Sequence, residues 1–376
     1  VRDTHIDLLF LNEPDTIAAG VTDIAACIDV MAETLRLFAL GDYRLSGPQA
    51  NAQGINLTFP AASPFARMPL NGPDRRFAAM PAYLGGDVHL AGVKWYGSNV
   101  ANKEIGLPRS IHTIVLNDPD TGAPVAIMAG NLVSAYRTAA VPGVGARYLA
   151  APDSRQLAIV GPGAMNTTSL DAFVAVRPGI ERVLVRGRSA PSTERFIEGV
   201  RERHPHLEVS VAGSVQEAVQ GADIVSVATV SSPGSANYPY LDESWLKPGA
   251  FVSLPGNVRL DPDFLAERAH PVLDSRGIFE KWAEGYSHPT HESFGFMGMQ
   301  LMDLVTDGKL SREGITEIGE IVAGLRPGRV DDQRIHIFGF GGLPIEDVAW
   351  GAHVFRTAQR AGIGSPLTFW PEPHLV

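Results

Sequence analysis

A short apolar run, Leu157-Ala158-Ile159-Val160, passes directly into Gly161-Pro162-Gly163, and the stretch beyond it has helix character to about residue 176. This order leaves few folds open. Glycine at 161 permits a tight turn, glycine at 163 lets backbone approach a pyrophosphate, and the helix N-terminus supplies free N–H groups and a positive dipole end. Further strand-like runs follow at 182–185, 207–211, 223–228 and 250–254, with helix-like stretches at 190–203 and 214–220. Alternation of this kind predicts βαβ units and a Rossmann-type, doubly wound parallel sheet with helices on both faces. The third fingerprint position is Asn166 rather than glycine, so the motif is incomplete and draws its weight from the surrounding strand–turn–helix. Ala164 and Met165 open the helix. Thr229 and Gly256 follow the fourth and fifth strands of the series, and these four complete the expected cofactor contacts of the turn.

Charge at the end of the second strand selects between the two nicotinamide dinucleotides. An NAD site places an acid there to accept from the ribose 2′-hydroxyl. Here the run is Val183-Leu184-Val185-Arg186-Gly187-Arg188-Ser189, with no carboxylate. Arg186 and Arg188 offer cations and Ser189 a hydroxyl to a 2′-phosphate. The expected cofactor is NADP (NADPH).

The segments flanking this unit read differently. Ile24, Ile28, Met31, Leu35 and Phe38 share one face of a helix that ends at Gly41. Residues 42–90 are rich in Pro, Gly and Asn and read as loops and short strands. Runs at 92–95, 111–116 and 124–128, the last two joined by Asp118-Pro119-Asp120-Thr121-Gly122, predict an antiparallel hairpin. A final amphipathic helix spans Ile345 to Ala361, beyond the parallel strands, where it can return to the first lobe. The expected fold is α/β: an NADP-binding domain at 132–330 inserted in an α+β substrate and dimerisation domain at 1–131 and 331–376.

At 376 residues two or three domains are expected from a prior of ~150 residues each. A net charge of −10 and the lack of dense Lys or Arg runs argue against nucleic-acid or anionic-membrane partners. The one cysteine, Cys27, excludes an intrachain disulfide and a cysteine-built zinc site. No apolar stretch reaches the ~18 residues of a membrane span, and Val1-Arg2-Asp3-Thr4-His5 lacks signal-peptide layout, so a cytoplasmic setting is expected. His288-Pro289-Thr290-His291-Glu292 contains two imidazoles and a carboxylate. Proline keeps a regular helix from presenting both rings on one face, so no metal is expected there.

Three cations of the first 140 residues stand out by their strand- or turn-like context: Arg67 in the loop-rich stretch, Lys94 between Val93 and Trp95, and Arg137 at the start of a helix. Taken singly, each reads as a snorkelling side chain. Taken together they suggest a carboxylate clamp of two arginines with a lysine as acid/base. Hydride transfer to a C=N carbon beside a carboxylate needs that set. Trp95, Tyr96, Phe294, Phe296 and Met297 suit either a bulky pocket or core packing. Glu346 and Asp347 suit the dipole of the helix they begin.

Met80-Pro81-Ala82, Val93-Lys94-Trp95, Gly106-Leu107-Pro108, Leu116-Asn117-Asp118, Arg137-Thr138-Ala139-Ala140, Gly161-x-Gly163, Gly221-Ala222-Asp223 and Glu346-Asp347 occur in an order that resembles the ornithine cyclodeaminase/mu-crystallin family. The resemblance runs from about residue 20 to 365. It implies a homodimer formed through the substrate lobe and an NAD(P)-binding Rossmann lobe, with the active site in the cleft between lobes. Substrate contacts would come from Lys94, Arg137 and an arginine before Met80-Pro81, for which the interval favours Arg67 over Arg75 or Arg76. Ornithine cyclodeaminases carry a glutamate where this chain has Ala78, and an aspartate where it has Asn257. The expected function is therefore NADP-dependent redox chemistry at the C=N or C–N bond of an imino or amino acid, with Asn257 beside the catalytic set. The alternatives are an ornithine cyclodeaminase-type ammonia lyase and a non-catalytic NADPH-binding protein like mu-crystallin.

Overall fold

The computed structural model describes residues 4–375. The chain divides into two compact units, one formed by 1–23, 41–137 and 343–376 and the other by 24–40 and 138–342.

The first unit is built on one sheet of β1 (Ile6–Leu11), β2 (Tyr43–Leu45), β3 (Ile55–Thr58), β4 (Arg76–Leu84), β5 (Leu90–Ser98), β6 (Ser110–Asn117), β7 (Pro124–Ala129) and β16 (Ser365–Trp370). Their order is β16-β1-β7-β6-β5-β4-β2, with β3 also on β4. The predicted hairpin is present as antiparallel β6 and β7, and Asp118 Oδ1 closes its turn by accepting from the Thr121 N–H at 2.8 Å. Strands β4 and β1 went unseen in the sequence. Pro81 argues against an inner strand, and β4 carries apolar side chains on its open face (Phe77, Tyr83) as well as on its covered one (Met80, Leu84), so no apolar/polar alternation marks it.

Helix α1 (Glu13–Ala18) and the long α10 (Pro344–Ala361) complete this unit. Helix α10 begins with Pro at its first position and ends at Gly362 in left-handed conformation (φ 67°), the expected start and stop chemistry. Its apolar stripe lies on the sheet. At Gly92 of β5 a Cβ would come within 2.7 Å of the Val115 carbonyl and 3.3 Å of Val348, so glycine there lets helix and sheet close up. Trp350, fully buried, donates its indole N–H to the Val21 carbonyl at 3.2 Å.

The second unit has a wholly parallel sheet of β8 (Gln156–Val160), β9 (Arg182–Arg186), β10 (Glu208–Val211), β11 (Ile224–Val227), β12 (Phe251–Leu254), β13 (His270–Leu273), β14 (Thr316–Glu317) and β15 (His336–Gly339). The order is β10-β9-β8-β11-β12-β15-β13-β14. The first five strands thus run 3-2-1-4-5, the Rossmann order, which reverses direction between β8 and β11. Helices α4 (Ala164–Val176), α5 (Ala190–Arg203), α6 (Val215–Val219), α7 (Arg276–Ala283), α8 (Met297–Thr306) and α9 (Ile318–Val322) connect or flank these strands.

The division differs from the expected one in its boundaries and in α2 (Ile24–Leu40), which belongs to the second unit. The cause is close packing through glycines. A Cβ at Gly143 of α3 (Asn131–Leu149) would meet Ile28 at 3.0 Å, and one at Gly319 of α9 would meet the Leu35 carbonyl at 2.4 Å. Helix periodicity shows a buried face but not which partner buries it. No described helix is long and apolar enough to cross a membrane.

Candidate active site and dinucleotide turn

Lys94 lies on β5 with its side chain on the covered face, 3% exposed. An ammonium so buried must be paired, and its Nζ is 2.7 Å from Asp347 Oδ2, with Ser134 Oγ at 3.2 Å. Asp347 is shared. Its Oδ1 accepts from Arg137 Nε at 3.0 Å, and Glu346 Oε2 accepts from Arg137 NH1 at 2.7 Å. Two cations and two carboxylates therefore close a buried, charge-balanced cluster contributed by β5, α3 and the first turn of α10. Glu346 and Asp347 do more than answer the helix dipole. Sequence offered a signal for them, since two carboxylates inside the otherwise apolar run from Pro344 to Trp350 need cationic partners if that run is buried.

Burial, reinforced by the Arg137 charge, pulls the Lys94 ammonium down to about 8, with Asp347 opposing the fall. Burial alone would push Asp347 up, but Arg137 and Lys94 hold it below the usual carboxylate range. His112 on β6 packs against Tyr96 with ring centroids 4.9 Å apart. Burial and then the Lys94 charge lower its imidazole to about 4, so it is a neutral ring at working pH. Nothing in its sequence context distinguished His112.

The three arginines proposed before Met80 are placed apart. Arg67 is exposed in the loop between β3 and β4. Arg75 packs over the Phe59 ring and donates to the Leu70 carbonyl at 3.2 Å. Arg76 is the one brought toward Lys94, since its guanidinium lies 5.9 Å from the centre of the Tyr96 ring and the Lys94 Nζ 5.8 Å from that same ring. Ala78, buried and opposite Tyr96, leaves no carboxylate at the position where the resemblance expected one. Trp95 is on the other face of β5, half exposed and stacked on Phe77 at 5.5 Å. Phe294 and Phe296 instead join Trp282 in an aromatic cluster of the second unit, and Met297 is buried at the start of α8.

In the second unit the glycine turn has the expected build. Gly161 is left-handed (φ 87°), and a Cβ there would fall 2.4 Å from the Ala228 carbonyl; one at Gly256 would fall 2.6 Å from the Thr229 N. Strands β8, β11 and β12 end in loops that touch, and only glycine fits. At Gly163 no atom lies within 4 Å of a Cβ position, and Gly163, Ala164 and Met165 are exposed at the N-terminus of α4. Open space beside free helix-terminal N–H groups fits a pyrophosphate. Asn166 takes over the packing role of the third glycine: its amide donates to the Val160 and Gly161 carbonyls at 3.2 and 3.0 Å and accepts from Ser226 Oγ at 2.7 Å. Arg186 and Gly187 are part-buried at the end of β9, while Arg188 and Ser189 are exposed, Ser189 standing at the N-cap position of α5 without a side-chain capping bond.

Asn257 donates through its amide to the Ser231 carbonyl at 3.1 Å, and its own carbonyl accepts from Thr229 Oγ1 at 2.8 Å. Asp274, after β13, went unnoticed in the sequence. Its buried carboxylate accepts from the Gly341 and Gly342 N–H groups at 2.8 and 2.7 Å, fixing the glycine loop after β15, and burial raises it to about 6. In the His288–Glu292 loop, His291 meets the Val258 carbonyl at 3.0 Å while Asp303 Oδ1 accepts from Thr290 N–H at 2.8 Å.

Residues 20–362 match the ornithine cyclodeaminase/mu-crystallin family. The chain belongs to that family. Similar members include the N-((2S)-2-amino-2-carboxyethyl)-L-glutamate dehydrogenase of Staphylococcus aureus, 28% identical over 97% of this chain and 99% of the relative. A Δ1-pyrroline-2-carboxylate reductase of Paracoccus denitrificans is 32% identical over 70% of this chain and 78% of its own length. Among solved structures, an archaeal alanine dehydrogenase dimer with bound NAD superposes with a TM-score of 0.75 and 26% identity, covering 97% of this chain and 100% of that one. These family members are named for reduction or dehydrogenation of imino and amino acids.

Proposed function

We propose that this chain is an NADP-dependent imine or ketimine reductase, run in reverse as an amino-acid dehydrogenase. The observation that carries the reading is Lys94 buried on Asp347 with an ammonium lowered to about 8, a proton donor and acceptor poised near working pH. The relatives named above, an opine-type dehydrogenase, a pyrroline-2-carboxylate reductase and an alanine dehydrogenase, support C=N/C–N oxidoreduction as the chemical class. The bound dinucleotide would supply or take up hydride at the imino or amino carbon. Gly161, Gly163, Ala164, Met165, Thr229 and Gly256 would hold its phosphates and ribose, with Arg186, Arg188 and Ser189 on a 2′-phosphate.

Lys94 gives a proton to the substrate nitrogen during reduction and takes it back during oxidation, and Asp347 holds the lysine in place for both. Arg137 positions Asp347 and Glu346 through Nε and NH1, so its part in binding the substrate carboxylate falls to the rest of the guanidinium. Arg76, bonded to Asp74 at the outer end of the covered face, replaces Arg67 as the favoured third substrate-contacting arginine, for a group away from the carboxylate that Arg137 would meet. With Ala78 in place of a glutamate, no group at that position meets the distal amine of ornithine, which disfavours the ammonia-lyase reading.

A homodimer through the first unit is supported by the open face of its sheet. Phe10, Ile55, Leu57, Phe77, Trp95 and Ile111 are each 38–72% exposed there, an apolar surface of the kind that marks an interface. A cytoplasmic setting fits a sequence whose one cysteine, Cys27, cannot form an intrachain disulfide.

The test is NADPH oxidation followed at 340 nm with a panel of cyclic imino acids and keto-acid/amine pairs. Turnover with any of them supports the reading. Tight NADPH binding with no turnover across the panel would leave the non-catalytic binding protein in its place.

A further inference from the structure

The covered face of the first sheet carries polar groups well beyond Lys94. Register places them in three rows: Met80, Lys94 and Ile114; then Ala78, Tyr96 and His112; then Arg76, Ser98 and Ser110. At ~3.3 Å per residue the first and third rows are ~13 Å apart along the strands.

The outer row is built around Asp74. Its carboxylate is bonded by Arg76, by Arg109 Nε at 3.2 Å and by Ser98 Oγ at 2.5 Å, and Ser110 Oγ donates to Ser98 Oγ at 3.0 Å. Two guanidiniums share one carboxylate, which leaves a net positive charge. The Asp74 backbone is left-handed (φ 54°), a conformation costly for a non-glycine residue and retained where surrounding contacts demand it. Both arginines keep an open side, with side chains 33% and 49% exposed, so this charge is available to a ligand.

We infer that the substrate carries a second acidic group, held by Arg76 and Arg109 at the outer end of this face. The inference rests on the oxidoreductase reading and names its substrate class: an acidic amino or imino acid. Tyr96 sets the scale. Lys94 Nζ and the Arg76 guanidinium each approach the ring to within 6 Å, on a span of about 12 Å at most. Allowing ~3 Å for a contact at each end leaves room for a side chain of two or three methylenes between the reacting centre and a distal carboxylate. Ala78 stands in the middle row, small and uncharged, where a carboxylate would repel that group.

The experiment compares substrates that differ only in distal charge. NADPH oxidation is measured with imines of pyruvate and L-glutamate against pyruvate and L-glutamine, and with 2-oxoglutarate against 2-oxovalerate, each with ammonia. At least one acidic partner is expected to exceed its neutral counterpart by about tenfold or more in kcat/KM, mainly through KM, as a charge-assisted contact provides. Arg76→Gln and Arg109→Gln each bring that ratio toward one, and Arg109→Lys retains part of it. Equal kcat/KM for both pairs in the unaltered enzyme overturns the inference and leaves the oxidoreductase reading standing. If no pair is turned over, that reading fails by itself, and the acidic subsite is then decided by calorimetry. L-glutamate should bind the NADP-loaded protein at least tenfold more tightly than L-glutamine, and equal binding overturns the inference there too.

Discussion

Lys94 and Asp347 form an ion pair of 2.7 Å in which both side chains are almost wholly buried, one from a central strand and the other from the first turn of the last long helix. They are more than 250 residues apart in sequence. Each charge would be costly alone, so strand, helix and Arg137 fold as partners in one electrostatic unit.

The acid/base role proposed for Lys94 rests on that pairing. Lys94→Ala is expected to lower kcat by roughly 10²–10⁴-fold, the span for a positioned acid or base. NADPH binding should survive, since the glycine turn belongs to the other unit. Steady-state kinetics and a fluorescence titration of NADPH separate the two effects; an unchanged kcat with raised KM would make Lys94 a binding residue.

The pH profile follows from the same group. Reduction requires the ammonium, so its kcat/KM should fall as pH rises through about 8, while oxidation requires the free amine and should rise over the same range. Asp347 raises the Lys94 value, so Asp347→Asn should move both limbs to lower pH. Removing one partner of a buried pair should also cost about 3–5 kcal/mol of stability, read by urea unfolding. Lys94 has the opposite bearing on stability. Its folded value lies below that of the unfolded chain, so stability should rise with pH between about 8 and 10.5.

Much of this architecture was legible in the sequence, and the exceptions have physical reasons. The βαβ series was readable because buried parallel strands are continuous apolar runs bounded by turns, as at Leu157–Val160. Strand β1 was not, since its burial alternates irregularly over Ile6–Leu11. Lys94 and Arg137 stood out because cations amid apolar residues need explaining. Asp347 passed as a dipole partner, because a carboxylate in the first turn of a helix already has a sufficient local reason. Arg76 and Asp74 become a site only through strand register, which pairs Arg76 with Ser98 and cannot be read from spacing.

Cofactor choice is tested at the end of β9. Arg186, Arg188 and Ser189 stand where an acid would read a 2′-hydroxyl, so NADPH should bind at least tenfold more tightly than NADH. Arg188 is exposed, so its truncation should leave the packing of the unit intact. Arg188→Ala should therefore weaken NADPH selectively and leave NADH unchanged. Equal dissociation constants in the unaltered protein would sink the NADP assignment.

Release of ammonia from L-ornithine tests the substituted positions. Ala78 and Asn257 stand in place of the two acids of the ornithine cyclodeaminases, and Asn257 spends its amide N–H on the Ser231 carbonyl. Turnover of ornithine should be absent or far below the usual enzymatic median of ~10 per second. A rate near that median would mean that another carboxylate holds the distal amine.

The open sheet face bears on assembly. Trp95 is 43% exposed and stacked on Phe77, which is itself 38% exposed, and Gly97 beside them has no room for a Cβ, since one would lie 2.8 Å from the Phe77 ring. The Phe77 ring thus lies over Gly97, and the two stacked rings form an apolar surface that a second copy of the chain would cover in the proposed homodimer. Trp95→Glu places a charge at its centre, where desolvation on association would cost several kcal/mol. Sedimentation velocity should show a dimer for the unaltered protein and a monomer for Trp95→Glu. The side chain of residue 95 points away from Lys94, so the variant should keep its fold by circular dichroism. A monomeric unaltered protein would refute the assignment of this face, and a variant that remains dimeric would move the interface elsewhere.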